Sequence, residues 1–346
     1  MIRRITPKCL GVCIRRTVYP IQCKEEPAMD QIRGTYRLED INYRTIADPK
    51  GLIEEADAAY EAKIEEAAQQ ILNNQVNSPI VLLSGPSGSG KTTTAMKISE
   101  ALERHGVRTH YVALDNYFNT IDPETVPRTP EGDMDLESPL CLDMELLNRH
   151  FTELSQGKRI YVPKYEFSRQ MRIQEPSQSI RLKKDELVVF EGIHALNDMI
   201  TGVHPEAFKL YISARSDVVF GDSQQVVFKG SWFRLVRRTV RDAKFRGWDP
   251  SNTIAMWANV RRGEHNYISP FREKADFQFD TTFAYEIPVM NAMATRLFHT
   301  IPEGIERFEE LKRVFPALLL FGDIDESLVA GDAMIREFIG GGIYEQ

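Results

Sequence analysis

Residues 82–94 read LLSGPSGSGKTTT, which sets Gly85, Gly90, Lys91 and Thr92 at the spacing G-x4-G-K-T. Glycines at these places let consecutive backbone N–H groups turn toward one centre, close enough to hold the phosphates of a nucleotide, the arrangement called a P-loop. Gly85, Ser87, Gly88, Ser89, Gly90, Lys91, Thr92 and Thr93 are therefore the candidate phosphate-binding residues. In such a loop the lysine lies along the outer phosphates, and the hydroxyl of Thr92 is placed to ligate Mg2+. The plain alternative is a Gly/Ser-rich surface turn, which needs neither the lysine nor the long fixed spacing.

The flanking elements have the order that this chemistry needs. Pro79 bounds the apolar run Ile80–Leu83, which reads as a buried parallel strand with no polar alternation. Thr93 to His105 carries Ala95, Ile98, Ala101 and Leu102 at helical spacing and stops at Gly106. The helix N-terminus adds positive potential where the anion would sit. Further on, THYVALD at 109–115, a helix from Asp143 to Gln156, ELVVFEG at 186–192 and KLYIS at 209–213 alternate strand with helix. That alternation predicts a parallel sheet covered on both faces, with ligands beyond the carboxyl ends of its strands.

Two carboxylates stand at those ends, Asp115 after VAL and Glu191 after VVF. A carboxylate directly after an apolar strand is costly unless a cation or donor meets it. In phosphoryl transfer to a hydroxyl, one such group orients or deprotonates the hydroxyl and another serves the metal shell. Capping of the following turn is the plainer role for each. In SWFRLVRRTVRDAKFRG, Arg234, Arg237, Arg238 and Arg241 fall at i, i+3, i+4 and i+7, on one face of a helix. Like charges so placed repel, so the expectation is a lid closing over an anion, with a solvated or Asp242-paired face as the alternative.

The whole chain sets outer bounds. Its 346 residues are 42% hydrophobic and 27% charged, with a net charge of -7, an ordinary globular composition without a global pull toward nucleic acid. No apolar run reaches the ~20 residues of a membrane-spanning helix. Four cysteines are too few for a disulfide framework and favour a reducing, cytoplasmic setting. Cys9, Cys13 and Cys23 lack the fourth ligand of a structural zinc site. Residues 1–50 read as a leader and extended segment, with Met29 as an alternative start, and 51–77 as a helix packed on the core. That helix aligns Ile53, Tyr60, Ile64, Ala67, Ala68 and Ile71 on one stripe. Residues 78–300 form the nucleotide-binding domain, with the lid at 228–266. Residues 301–346 form a helical extension, in which EGIERFEELKRVFPALLLF reads as one amphipathic helix docking on the core or on a second copy of the chain.

The ordered set GPSGSGKTTT, LDNYF, PKYEFSRQMR, VVFEGIHAL, RLVRRTVRD and YISPFREKAD resembles the uridine kinase and phosphoribulokinase family of P-loop kinases, nearest to its bacterial uridine-kinase-like nucleoside kinases. The resemblance spans about residues 78–290, and REFIGG at 336–341 also matches. It implies an α/β three-layer sandwich with a mostly parallel sheet and a helical lid, using ATP and Mg2+ on a small-molecule acceptor, with no nucleic-acid or membrane partner. By the same resemblance Asp115 acts on the acceptor hydroxyl, with Lys91 as the other catalytic residue. Thr92, Glu191 and Asp115 surround the metal. Tyr117, Tyr165, Phe167 and Arg172 face the substrate, and Glu137, with Asp135 as the alternative, meets a ribose. Gln170 stands where pyrimidine-reading members carry histidine; an amide still offers a donor and an acceptor. His194 reads as a packed, hydrogen-bonded histidine rather than a catalyst. A phosphoribulokinase-like enzyme, another small-metabolite kinase and a nucleotide switch or regulator without transfer remain alternatives.

Overall fold

The computed structural model describes residues 34–302, 304, 309 and 311–344; the leader, Met29 and Cys9, Cys13 and Cys23 lie outside the described residues. The strands are β1 (Thr35–Arg37), β2 (Ile80–Ser84), β3 (Arg108–Ala113), β4 (Ile160–Glu166), β5 (Met171–Ile180), β6 (Glu186–Glu191), β7 (Phe208–Ser213), β8 (Asp217–Phe220), β9 (Gln225–Phe228) and β10 (Phe277–Asp280). The helices are α1 (Leu38–Ala47), α2 (Pro49–Asn74), α3 (Lys91–Arg104), α4 (Met144–Ser155), α5 (Asp198–Thr201), α6 (Gly230–Arg246), α7 (Pro250–Gly263), α8 (Glu286–His299), α9 (Leu311–Leu318) and α10 (Arg336–Ile339).

β10, β7, β2, β6 and β3 lie side by side in that order, every neighbouring pair parallel. β2 takes the centre because all five of its residues are apolar or small and buried. Alternate side chains serve opposite faces: Val81 and Leu83 join the core under α2 and α3, while Ile80 and Leu82 join the core under α4. The chain leaves β2 toward β3 and β6 on one side and later toward β7 and β10 on the other. The crevice at this reversal is where open α/β sheets bind ligands.

α2 begins at Pro49, capped by the Asp48 carboxylate, which accepts from the Gly51 N–H at 3.0 Å. Its expected stripe is buried, and the Tyr60 hydroxyl meets the Thr94 hydroxyl of α3 at 2.9 Å. α4 matches its expected span, with Asp143 as the N-cap accepting from Leu146 N–H. Two small sheets escaped the sequence pattern, the β4–β5 hairpin and β1–β8–β9. The long amphipathic helix expected after residue 303 is described only as α9, while residues 303, 305–308 and 310 lie outside the described residues. Beyond it, residues 333–342 pack back onto the core beside the N-terminus of α3.

Candidate active site

β2 delivers the glycine loop to the top of the sheet, and its path admits no side chain at the ends. A Cβ on Gly85 would lie 1.9 Å from the Ile212 carbonyl of β7, and Gly90 is left-handed, φ +79°, with Met334 Sδ 2.4 Å from where its Cβ would stand. Four partners from distant elements hold the loop. Arg234 Nη1 donates to the Ser87 carbonyl at 3.2 Å, Arg237 Nη1 to the Gly88 carbonyl at 3.2 Å, Arg238 Nη1 to Ser87 Oγ at 2.9 Å and Thr281 Oγ1 to the Ser89 carbonyl at 2.7 Å. With their carbonyls so engaged, these peptides are oriented for their N–H groups to face the opposite way.

At the start of α3, Lys91 Nζ sits 3.3 Å from the Pro86 carbonyl and 3.8 Å from Glu191. Thr92 Oγ1 is 3.5 Å from Glu191 Oε2, which also accepts from the Tyr111 hydroxyl at 2.9 Å. Burial raises the Glu191 carboxyl above the ordinary range, and Lys91 opposes that rise. Thr93 donates from its N–H and its hydroxyl to Glu337.

The strand expected over 109–115 ends at Ala113, and Asp115 occupies a 3-10 turn, Leu114–Tyr117, at the mouth of the loop. Its side chain opens to solvent, yet the cleft walls crowd it enough for desolvation to raise its pKa, against the pull of Lys91 and Arg246. Among the described residues this carboxylate has no hydrogen bond or ion pair. Glu137 lies across the cleft, its pKa pushed up to about 7 by burial, with Arg238 opposing and Asp135 and Asp115 adding to the rise. Asp135 is buried and already engaged by Arg262 Nη2 at 3.2 Å and the Tyr267 hydroxyl at 2.8 Å. Of the two carboxylates offered by the sequence, Glu137 is thus the one with capacity to spare.

Several expectations need correction. Tyr117 does not face the cleft: it is wholly buried, its hydroxyl 2.8 Å from His150 Nδ1 and its ring against Phe190. Arg172 is pinned to Asp143 at 2.9 Å and to the carbonyls of Tyr117 and Phe118 at 2.9 and 3.2 Å, so it braces the turn carrying Asp115. Arg234 and Arg237 are buried rather than open to an anion, Arg237 paired with Glu286 and Arg234 with Glu264, whose carboxylate Arg261 shares. His194 is packed, as expected, with the backbone of Glu137 and Tyr267 beside its ring, and burial lowers its pKa to about 4.

The remaining residues differ in exposure. Tyr165 is nearly buried, its ring 5.5 Å from Phe118 and 5.1 Å from Phe167, and Phe167 is 61% exposed, so these rings make an aromatic ledge. Gln170 sits at the β4–β5 turn with φ +51°, its carbonyl accepting from the Ile121 N–H at 3.0 Å and its side chain exposed.

Tyr111, Phe118, Thr281, Arg246, Glu264, Glu286 and Glu337 were not singled out from the sequence, although Phe118 and Glu337 lie within the runs LDNYF and REFIGG. Arg246 carried a further local signal. Arg238 and Arg246 each stand four residues from Asp242, a spacing that stacks them on one helix face. Arg241 and Arg246 both lie 3.1 Å from Asp242 Oδ1 and Arg238 Nε lies 3.4 Å from Oδ2. Three guanidinium groups share one fully buried carboxylate, leaving a surplus of positive charge beside the loop.

The family model described as Phosphoribulokinase / Uridine kinase family matches residues 80–287. The chain is similar to the uridine kinase of Saccharomyces cerevisiae, 30% identical over 198 residues, covering 57% of this chain and 36% of that protein. It is similar to the uridine kinase of Staphylococcus haemolyticus, 29% identical over 201 residues, covering 58% of this chain and 86% of that protein. The match therefore spans little more than a third of the yeast relative. A solved structure of D-glycerate 3-kinase from Cryptococcus neoformans aligns over 78% of this chain and 90% of its own, at 15% identity and TM-score 0.33. With the family model reaching from the central strand to the start of α8, well over half of the described residues, the chain belongs to the phosphoribulokinase / uridine kinase family.

Proposed function

We propose that the protein transfers the terminal phosphoryl group of ATP to a primary hydroxyl of a nucleoside of the uridine or cytidine type. The observation that carries this reading is the Asp115 carboxylate, which among the described residues has no hydrogen bond or ion pair yet lies close enough to the loop lysine Lys91 for that charge to act on it. A base needs that freedom, and a pKa raised by burial brings it nearer the working pH. Asp115 takes the proton of the acceptor hydroxyl as its oxygen forms a bond to the terminal phosphorus. The bond from that phosphorus to the bridging oxygen breaks, and its electron pair leaves with ADP.

Lys91 and the surplus charge of Arg238, Arg241 and Arg246 offset the charge spread over the transferring group. The hard oxygen donors Thr92 Oγ1 and Glu191, facing one another at 3.5 Å, suit Mg2+, which takes one or two carboxylates together with phosphate oxygens. When bound there it would supply further charge neutralisation.

For the acceptor, the exposed Phe167 ring, packed edge-to-face against Phe118 and Tyr165, offers an apolar surface to a base, and Glu137 an oxygen pair to sugar hydroxyls. The names of the similar uridine kinases support a pyrimidine nucleoside. A sugar phosphate is disfavoured, because Asp115, Glu137 and Asp135 already crowd the acceptor side.

ADP release should be measured with Mg-ATP and a panel of uridine, cytidine, purine nucleosides, ribulose 5-phosphate and glycerate. The reading expects turnover with a pyrimidine nucleoside, reduced about 10²–10⁴-fold in Asp115→Asn while ADP affinity is retained. Hydrolysis without transfer to any of these hydroxyls would overturn it in favour of a nucleotide switch.

A further inference from the structure

Thr93 is the third residue of α3, and its N–H is among the donors that a helix start leaves without an intrahelical partner. Donors at this place, one step past Gly90-Lys91-Thr92, belong to the phosphate cradle. Glu337 Oε2 occupies them, accepting from the Thr93 N–H at 3.2 Å and from Thr93 Oγ1 at 2.8 Å. The carboxylate arrives from 244 residues away, on the short α10 turn.

Its segment is held on every side. Met334 packs under Gly90, and Lys244 donates to the Ile339 carbonyl. The Phe338 ring lies 5.2 Å from the Arg237 guanidinium. Arg336 ties the segment to itself through the carbonyls of Glu326 and Gly340 at 2.9 and 3.1 Å. Beside the Thr93–Glu337 contact lies a pocket of about 200 Å³, walled by Thr93, Arg241, Arg246, Arg336, Glu337 and Tyr344. Small-ligand sites commonly run to ~300–1,000 Å³, so this pocket takes a base or a single phosphate but not a whole nucleotide. Arg241, Arg246 and Arg336 stand in its wall, the first two sharing the Asp242 carboxylate, and among the described residues that line the pocket Glu337 is the one acid.

We propose that Glu337 is an internal competitor for the donor nucleotide: its carboxylate holds the Thr93 N–H and hydroxyl that a donor phosphate takes on binding. This deepens the kinase reading and rests on it. A phosphate and a carboxylate cannot share the same two donors, so nucleotide binding releases Glu337, and residues 333–342 shift to enlarge the pocket for the nucleoside end. A molecule closed nine-tenths of the time would bind nucleotide about tenfold more weakly than one with the competitor removed.

The test is ADP binding by calorimetry to the full chain and to Glu337→Gln and Glu337→Ala, with thermal unfolding of each. The proposal expects both variants to bind ADP several-fold to tenfold more tightly, and Glu337→Asp to return toward the original affinity. In the unaltered protein, which needs no variant to fold, ADP should lower hydrogen-exchange protection over residues 333–342. Unchanged or weaker ADP binding by the variants overturns the proposal and makes Glu337 a helix cap, as does greater protection of 333–342 with ADP. Absence of ADP binding in every form would instead remove the kinase reading, and this proposal with it.

Discussion

Arg237→Met separates two roles for the arginines of α6. Arg237 and Glu286 are both fully buried, with Arg237 Nε 3.0 Å from Glu286 Oε2 and Nη2 2.6 Å from the Thr281 carbonyl. Removing the guanidinium strands a carboxylate in the interior, a change that costs about 3–5 kcal/mol when one partner of a buried pair is lost. Against a total stability of about 5–15 kcal/mol this is a large fraction. It corresponds to a fall in melting temperature of roughly 5–8 °C for about 300 residues unfolding together. Burial already raises the Glu286 carboxyl and Arg237 holds it down, so without the arginine it takes up a proton more readily and the penalty shrinks as pH falls. Arg237→Met/Glu286→Leu should recover most of the loss, less about 1 kcal/mol for each carbonyl, Gly88 and Thr281, left without its donor. Thermal and urea unfolding at pH 5.5 and pH 8 measure these differences. If Arg237→Met melts within a degree of the original protein yet loses phosphoryl transfer, the arginine works on phosphate and the structural assignment is wrong.

Two further outcomes follow from the cleft. The Glu137 carboxyl rises from an ordinary 4.5 to about 7, so folding favours its protonated form. Its ionisation therefore costs nothing below pH 4.5, costs progressively more up to pH 7 and costs its full amount above that. Glu137→Gln should accordingly stabilise the protein by up to roughly 3 kcal/mol at pH 8 and leave it unchanged at pH 4; a pH-independent difference in melting temperature would refute this. Gly85→Ala would drive a Cβ into the Ile212 carbonyl, backbone against backbone, and should abolish ADP binding or folding; an alanine variant with native ADP affinity would show that the loop has room to move.

The parts of the site that could be read along the chain are those whose cause is local. The glycine spacing of 85–90 dictates backbone conformation, the apolar run of β2 dictates burial, and Asp115 and Glu191 follow directly from the strands that deliver them. The arginines of α6 were visible as a cluster, but which of them is neutralised depends on partners far along the chain. Glu264 lies 30 residues from Arg234, and Glu286 49 residues from Arg237. Tyr117 follows Asp115 so closely that both were expected in the cleft, yet the 3-10 turn rotates one side chain into the core and the other out of it.

From sequence, then, came the loop, its strand and helix, the acid at the mouth and the family, because each is written in short-range spacing that covalent geometry converts into shape. Folding added the allocation of charge. Which guanidinium groups brace the loop, which remain in surplus beside it, and which carboxylate reaches the Thr93 amide all turn on contacts between segments 30 to 244 residues apart. No local pattern encodes such contacts, since each is the by-product of burying the apolar faces that bring those segments together.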